Sequence, residues 1–241
     1  MMKSKLFLKN LTRSALLLIS TSFILLSAGC SNPIEPTYKE KDIPFIIKKI
    51  CKEEYNLDVT TERTKNTLWI YAPLSKILHK EYGLKEDKVF DDDITDKLRN
   101  IITTIGRVLI SSNNTPEFFA LLASDIKIGI DYTMIGNVLD VKKSYADFIP
   151  WTEANRRYVV KFKLSPEAIG DTTGFHFVPY DVKLPEFLAE QIAQRTSAQF
   201  QGDELKSYFK VEKSEGKFAD KVFSFEYSIS QIAKPNKTID I

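Results

Sequence analysis

The side chains with most potential for catalysis or metal binding in this 241-residue chain are its two histidines, His79 and His176. A zinc site would need both imidazoles, together with carboxylates from unrelated segments of the chain. A serine hydrolase triad would need one of them as its base, but no serine lies in a distinctive turn sequence. The wide separation of the two histidines favours ordinary core or surface positions, and we predict neither a bound metal nor a cofactor.

A second pattern with chemical potential is Ser124-Asp125-Ile126-Lys127, which matches the Ser-x-x-Lys motif of penicillin-binding proteins. The companion Ser-Asp-Asn and Lys-Thr-Gly motifs are missing from the sequence. Ser124 also falls in a predicted strand and not at the start of a helix. We therefore interpret the match as accidental.

Three adjacent carboxylates, Asp91, Asp92 and Asp93, supply the oxygen ligands that calcium accepts. The segment lacks the alternating acidic spacing and the central glycine of calcium loops, which favours a solvated helix start. Carboxylate pairs that cleave glycosides are defined by geometry and not by spacing in the sequence. A hydrolase that uses carboxylates or a serine therefore remains an alternative function for this protein.

An aromatic cluster consists of Phe175, Phe177 and Tyr180, with Trp151 as a flanking residue. One interpretation is a binding surface for a sugar or a hydrophobic partner. The other is that these rings close the end of a hydrophobic core. Solvent exposure separates the two, because four buried side chains could not form a surface.

The amino-terminal segment has the pattern of a secretory signal peptide. Its first thirteen residues contain no acidic side chain and four basic ones, Lys3, Lys5, Lys9 and Arg13. Residues 15–26 follow as an apolar run of twelve residues. This run is shorter than the stretch of about 20 apolar residues that spans a bilayer.

The run leads into Leu26-Ser27-Ala28-Gly29-Cys30, which resembles the lipobox of bacterial lipoproteins. It departs from the commonest form, because Ser27 stands where leucine is usual, three residues before the cysteine. The resemblance implies that residues 1–29 are a signal peptide cleaved before Cys30. It also implies that Cys30 receives a diacylglycerol on its sulfur and an acyl chain, such as palmitate, on its new amino group.

Lipidation at Cys30 would make the membrane the first partner of this protein, since each buried acyl methylene contributes about 0.8 kcal/mol. The resemblance implies an outer-membrane location facing the periplasm if the host has two membranes. The leader removes four of the 34 basic residues and none of the 32 acidic ones, which leaves a slightly acidic chain. That balance argues against nucleic acid as a partner.

The rest of the chain alternates helical and strand patterns, which predicts an α+β fold with a mixed or antiparallel sheet and packed helices. Residues 30–41 are predicted to be the lipidated cysteine and a flexible tether. Residues 42–150 and 151–241 are predicted as two α+β regions, in either one domain or two. A helix-strand-strand order occurs from residue 43 and again from residue 184, which suggests two α-β-β subdomains.

The local patterns predict helices over 75–82, 94–111 and 138–149, and loops over 85–91 and 170–182. They predict a central strand over 118–123 that continues through Ile130, and a further strand over 158–164. Two hairpins are predicted, one over 57–72 and one over 208–229 with Gly216 near its turn. Cys51 is predicted to be a small buried hydrophobe on a helix.

These observations favour a membrane-anchored lipoprotein of the cell envelope that binds or scaffolds and is not an enzyme. The partner would be an envelope protein or polymer. The alternative is a hydrolase of an envelope polymer that uses carboxylates or a serine. A deep apolar pocket would instead indicate capture of a small ligand.

Overall fold

The computed structural model describes residues 37–79, 89–200 and 209–231. The helices are α1 (Ile43–Tyr55), α2 (Asp92–Ile110), α3 (Val138–Tyr145), α4 (Trp151–Asn155) and α5 (Leu184–Phe200). The strands are β1 (Thr60–Thr64), β2 (Thr67–Leu74), β3 (Phe118–Asp125), β4 (Ile130–Asn137), β5 (Val159–Leu164), β6 (Phe209–Ala219) and β7 (Val222–Gln231). The predicted α+β class is confirmed.

The first five strands form a mixed sheet in the order β1-β2-β3-β4-β5. Strands β2 and β3 are parallel, and the other neighbours are antiparallel. The parallel step requires a crossover connection, which α2 provides. Strand β3 lies at the centre, and all eight of its residues are buried. This position explains its continuous apolar sequence, because a central strand is covered on both faces.

Helices α1 and α2 cover one face of the sheet. The apolar positions of α2 recur at helical spacing and are buried, as predicted: Ile94, Leu98, Ile101, Ile105, Val108 and Leu109. Asp91 caps this helix by accepting the N–H of Asp93. Cys51 of α1 lies in the same core with no exposed surface, as predicted.

The opposite face of the sheet is covered by residues 171–183, here called the aromatic loop, and by the first turns of α5. Its core contains Trp69, Tyr71 and Phe118 from the strands, with Val182 and Phe187 from the covering segment. The rings of Phe118 and Phe187 have centroids 5.1 Å apart. Strand alternation therefore sends neighbouring residues of β2 and β3 into two different cores.

Strands β6 and β7 form a separate antiparallel hairpin that packs on α5. The hairpin was predicted, but its turn is at Asp220 and Lys221, both with positive φ, and not near Gly216. Gly216 lies within β6, opposite Phe225. A Cβ atom at this position would lie 2.0 Å from the carbonyl oxygen of Ala189, so glycine permits a close approach of strand and helix.

Two predicted elements end earlier than the sequence pattern indicated. The alternation of Ile126, Ile128 and Ile130 predicted a continuing strand, but residues 126–129 form a turn. The carboxylate of Asp125 stabilises this turn by accepting the N–H groups of Lys127 and Ile128. Helix α3 ends at Tyr145 instead of residue 149.

The predicted helix over 75–82 was also wrong within its described part, because residues 75–79 contain no helix. Leu78 instead forms an isolated antiparallel bridge with Phe90. Residues 80–88, with most of the predicted acidic loop, lie outside the described residues.

The two regions predicted on either side of residue 150 share one sheet, since β4 pairs with β5 along six residue pairs. The order α-β-β does recur, as α1-β1-β2 and α5-β6-β7. The two hairpins differ in context, because the first belongs to the five-stranded sheet and the second stands apart.

The end of the predicted tether belongs to the fold. The N–H of Tyr38 donates to the carbonyl of Ser111 at 3.2 Å, and Glu40 forms an ion pair with Arg63 at 2.7 Å. The signal peptide, Cys30 and residues 31–36 lie outside the described residues. No helix in the described ranges is long and apolar enough to cross a membrane.

Candidate functional site

The aromatic loop brings together three of the four aromatic residues that the sequence indicated. Phe175 is 90% exposed and Tyr180 is 46% exposed, whereas Phe177 is half-buried. Phe177 and Tyr180 lie against Trp69 of β2, with ring centroids 4.5 and 5.0 Å from it. The loop therefore presents aromatic surface to solvent above an aromatic floor.

Trp151 lies elsewhere. It is 46% exposed at the start of α4, and its ring makes an edge-to-face contact with Tyr145. Tyr145 in turn lies close to Gly106 of α2, where an added Cβ atom would be 2.8 Å from the phenol oxygen. Trp151 thus belongs to the side of the sheet that carries α2 and α3, and not to the aromatic loop.

The backbone of the loop is shaped by the carboxylate of Asp171. Its Oδ1 accepts the N–H groups of Thr173 and Gly174 and the Thr173 hydroxyl, each at 2.8 Å. Its Oδ2 accepts the N–H of His176 at 2.9 Å. This arrangement is an extended form of the turns that aspartate commonly makes with following backbone groups.

The pKa of Asp171 reflects these donors. Burial acts to raise the pKa of this carboxyl, but the hydrogen bonds from His176 and Thr173 outweigh burial and hold it well below its usual range. The ionised carboxylate is therefore part of the folded loop. Sequence inspection did not single out Asp171, although Asp171-Thr172-Thr173-Gly174 has the composition of such a turn.

The loop is also fixed to strand β2 along its length. The Tyr71 hydroxyl donates to the carbonyl of Asp171 at 2.6 Å, and the Trp69 indole donates to the carbonyl of Tyr180 at 2.8 Å. Near the loop end, the N–H of Val182 donates to the Thr67 hydroxyl at 2.8 Å. Burial raises the pKa of Tyr71 to about 12, so its hydroxyl remains a donor at neutral pH.

Gly174 allows the loop to lie directly on Tyr71. Its φ of +89° is unfavourable for residues with a side chain, and an added Cβ atom would lie 2.9 Å from the tyrosine ring. Two requirements, the backbone conformation and the close approach, therefore select glycine here.

A chain of polar side chains runs beneath the loop from Asp171 into the sheet. The Nδ1 atom of His176 lies 2.7 Å from Oδ2 of Asp171, and its Nε2 atom lies 3.4 Å from Oδ2 of Asp131. The Ser124 hydroxyl donates to Oδ1 of Asp131 at 2.5 Å. The His176 side chain is only 4% exposed, and Ser124 is fully buried.

These four residues contain the side-chain types of a serine hydrolase but not its geometry. A catalytic serine donates its hydroxyl hydrogen bond to the histidine, and it must be reached by substrate. Here Ser124 donates to Asp131 and is sealed within the sheet. The four residues therefore have a structural role, because they connect the aromatic loop to β3 and β4.

The other candidate residues from the sequence also take part in contacts that stabilise the fold. Asp91 and Asp93 form the first turn of α2, and Lys76 lies 3.5 Å from Asp91. His79 donates its backbone N–H to Val89. Among residues 37–79, 89–200 and 209–231, no group of three or more His, Cys, Asp or Glu side chains is placed to hold a metal ion.

A cleft of about 600 Å³ lies between α3 and the start of α5, and Glu117 and Asp140 are among its lining residues. Arg157 donates to Asp140 at 3.0 Å and to Glu153 at 3.1 Å. The ion pair with Arg157 gives Asp140 a structural role in holding α3 to the segment before β5. Because two carboxylates line it, this cleft is a candidate place for a hydrolase of the carboxylate type.

A smaller pocket of about 200 Å³ lies between the aromatic loop and strands β1 and β2. Its walls include Trp69, Tyr71, Phe175 and Phe177, and its one carboxylate belongs to Glu62. Glu62 pairs directly opposite Trp69 in the sheet. Side chains of directly opposed residues share a face, so the carboxylate lies beside the indole.

Comparison with known proteins found no matching family model, no similar curated protein and no similar solved structure. The functional interpretation consequently rests on the geometry and chemistry of the site itself.

Proposed function

We propose that this chain is a lipid-anchored protein of the bacterial cell envelope that acts by binding and not by catalysis. Its binding surface in this proposal is the aromatic loop. The supporting observation is that the loop exposes Phe175 almost completely while Asp171, Tyr71 and Trp69 hold its backbone in place.

The rigidity of the loop is what makes its exposed rings suitable for binding. Ordering a flexible loop on association costs free energy, and a loop that is already ordered avoids most of that cost. Aromatic side chains also contribute a large share of the binding free energy at protein interfaces. The aromatic loop is already ordered, and it carries Phe175 and Tyr180 on its surface, so both contributions favour binding.

The anchor in this proposal is Cys30, on the basis of the lipobox resemblance at Leu26 to Cys30. The described fold begins at Thr37, seven residues later. Seven residues at full extension span at most about 25 Å. The partner is therefore expected among envelope proteins or polymers that lie close to the membrane.

A hydrolase is the second candidate, and the cleft lined by Glu117 and Asp140 is the observation in its favour. It is less well supported, because Arg157 engages Asp140 and because Ser124 is inaccessible. A Glu117→Gln variant distinguishes the two proposals. Loss of a polymer-cleaving activity in that variant would favour the hydrolase, and unchanged binding through the loop would favour the first proposal.

The binding surface can be tested by photocrosslinking in intact cells. A photoreactive amino acid at Phe175 is expected to give adducts with an envelope component. The control position is Phe45, which is 65% exposed on α1 on the other side of the sheet. Adducts at both positions, or at neither, would contradict a binding role for the loop.

The anchor needs a separate test. Fatty-acid labelling of the protein is expected to be lost in a Cys30→Ser variant and retained in a Cys51→Ser variant, since Cys51 is buried in the fold. Equal labelling of wild type and Cys30→Ser would show that Cys30 is not the lipidated residue.

A further inference from the structure

The small pocket beneath Phe175 has the composition of a site for an organic cation. Four aromatic residues line it, namely Trp69, Tyr71, Phe175 and Phe177, together with the carboxylate of Glu62. Aromatic faces attract ammonium groups through the ring quadrupole, and several rings around one cation form an aromatic cage. A carboxylate at the rim adds the opposite charge.

The polar atoms of the two rings at the pocket floor are already engaged. The Trp69 indole N–H donates to Tyr180, and the Tyr71 hydroxyl donates to Asp171. Both residues are more than 90% buried. These two rings therefore form a closed floor of carbon surface, and Phe175 and Phe177 are the aromatic side chains that a ligand can reach.

Glu62 is exposed, and among the described residues it forms no ion pair with a lysine or arginine. Its neighbour Arg63 is engaged by Glu40 at 2.7 Å and lies on the opposite face of β1. Arg63 thus has a partner, whereas the carboxylate of Glu62, which lines the pocket, is open to a cation from outside.

The size of the pocket limits the ligand. About 200 Å³ is below the range of about 300–1,000 Å³ that drug-sized ligands occupy. A single alkylammonium headgroup suits this volume better than a long polymer segment does. The open side at Phe175, which is 90% exposed, leaves room for the rest of the ligand to remain in solvent.

We propose that this pocket binds a small organic ammonium group, with Phe175 and Phe177 against the cation, Trp69 and Tyr71 beneath it and Glu62 as its counter-charge. The inference rests on the proposed function, because it names the ligand class of the same aromatic loop. The ammonium group could belong to a free amine or to a lipid headgroup, and the two share the chemistry that the pocket recognises.

The test uses the full-length lipoprotein in an uncharged detergent, with Trp151→Phe as background. The chain has two tryptophans, so Trp69 then becomes the single fluorescent reporter. Choline chloride is titrated at constant total chloride, balanced with sodium chloride. We expect a saturable change of Trp69 fluorescence with a dissociation constant of about 1–10 mM. This affinity is weak because the pocket holds a single headgroup.

The control ligand is 3,3-dimethyl-1-butanol, which has the shape of choline without its charge. It is expected to bind about tenfold more weakly, because the cation–π and carboxylate contacts are lost. Glu62→Gln and Phe175→Ala are each expected to weaken choline binding about two- to fivefold. Glu53→Gln and Phe45→Ala, exposed on α1, are matched controls expected to leave it unchanged.

A second titration identifies the source of the cation. Glycerophosphocholine, a lipid headgroup without its acyl chains, is titrated in the same way. Affinity equal to that of choline supports the ammonium site with a headgroup as ligand, and clearly weaker binding supports it with a free amine. Equal affinity for choline and its neutral isostere, or no response to either, would overturn the proposal.

These results are independent of the crosslinking at Phe175. A pocket without affinity for ammonium ions but with adducts at Phe175 would remove this inference and leave the binding role of the loop intact. Ammonium binding without adducts would keep this inference and remove the envelope component as the proposed partner of the loop.

Discussion

Asp171 and His176 are joined twice, once through the backbone and once through their side chains. The carboxylate accepts the backbone N–H of His176 at 2.9 Å, and the imidazole Nδ1 lies 2.7 Å from the same oxygen atom. This double contact closes the turn that carries Gly174 and Phe175. The conformation of the exposed aromatic surface therefore depends on a partly buried carboxylate next to it.

The first prediction concerns the stability of that turn. Asp171→Asn removes the negative charge and turns part of the acceptor into a donor that faces N–H groups. Hydrogen bonds to charged groups contribute about 1.5–3 kcal/mol, so we expect the free energy of unfolding to fall by about 2–3 kcal/mol. Urea unfolding monitored by tryptophan fluorescence measures this change.

The matched control for that variant is Asp220→Asn in the turn between β6 and β7. Asp220 is exposed and has a φ of +52°, which asparagine also tolerates. We expect its unfolding free energy to match that of the wild type. Equal stability of the Asp171→Asn variant would show that the carboxylate does not organise the loop.

The second prediction is a dependence of stability on acid. The pKa of Asp171 in the fold is below its unfolded value, which is about 3.9. Its ionised form therefore stabilises the fold above that unfolded pKa, and this stabilisation is lost as the pH falls through the lower folded pKa. The difference in unfolding free energy between wild type and Asp171→Asn should shrink from pH 7 to the most acidic pH at which both remain folded. A constant difference would contradict this assignment.

The third prediction concerns Cys51. Burial raises the pKa of its thiol to about 11, opposed only in part by a hydrogen bond with Thr104. Thiolate is the reactive form, so in a Cys30→Ser variant we expect reaction with a thiol reagent at pH 8 to be on the order of a hundredfold slower than for an exposed cysteine. Unfolding in urea should restore the normal rate, whereas fast reaction in the native protein would place Cys51 at the surface.

The fourth prediction tests how closely the last hairpin approaches α5. In Gly216→Ala the new methyl group would collide with the carbonyl of Ala189, and overpacking of this kind destabilises by about 1–3 kcal/mol. Faster amide hydrogen exchange is expected in β6 and β7, with little change in the central strand β3. Ser214→Ala, on the same strand, is the control, and equal exchange in both variants would argue against the close contact.

Local sequence patterns predicted the elements whose surroundings are simple. The spacing of Ile94, Leu98 and Ile101 identified α2 because one face of that helix meets the sheet and the other meets solvent. The run from Phe118 identified β3 because this strand is covered on both faces. Alternation failed after Asp125, because the same isoleucine spacing fits a turn once a carboxylate is available to bond its N–H groups.

The sequence by itself determined the α+β class, the lipobox expectation at Cys30 and the presence of an aromatic segment around residues 175–180. Only the tertiary structure decided which side chains act together. Ser124, Asp131, Asp171 and His176 become neighbours because β3 pairs with β4 and the loop folds back over them. Glu62 stands beside Trp69 because of strand register, and Trp151 is separated from the loop because it lies on the other side of the sheet. Periodicity reports which face of an element is buried, whereas these partnerships depend on contacts between distant segments that no local pattern records.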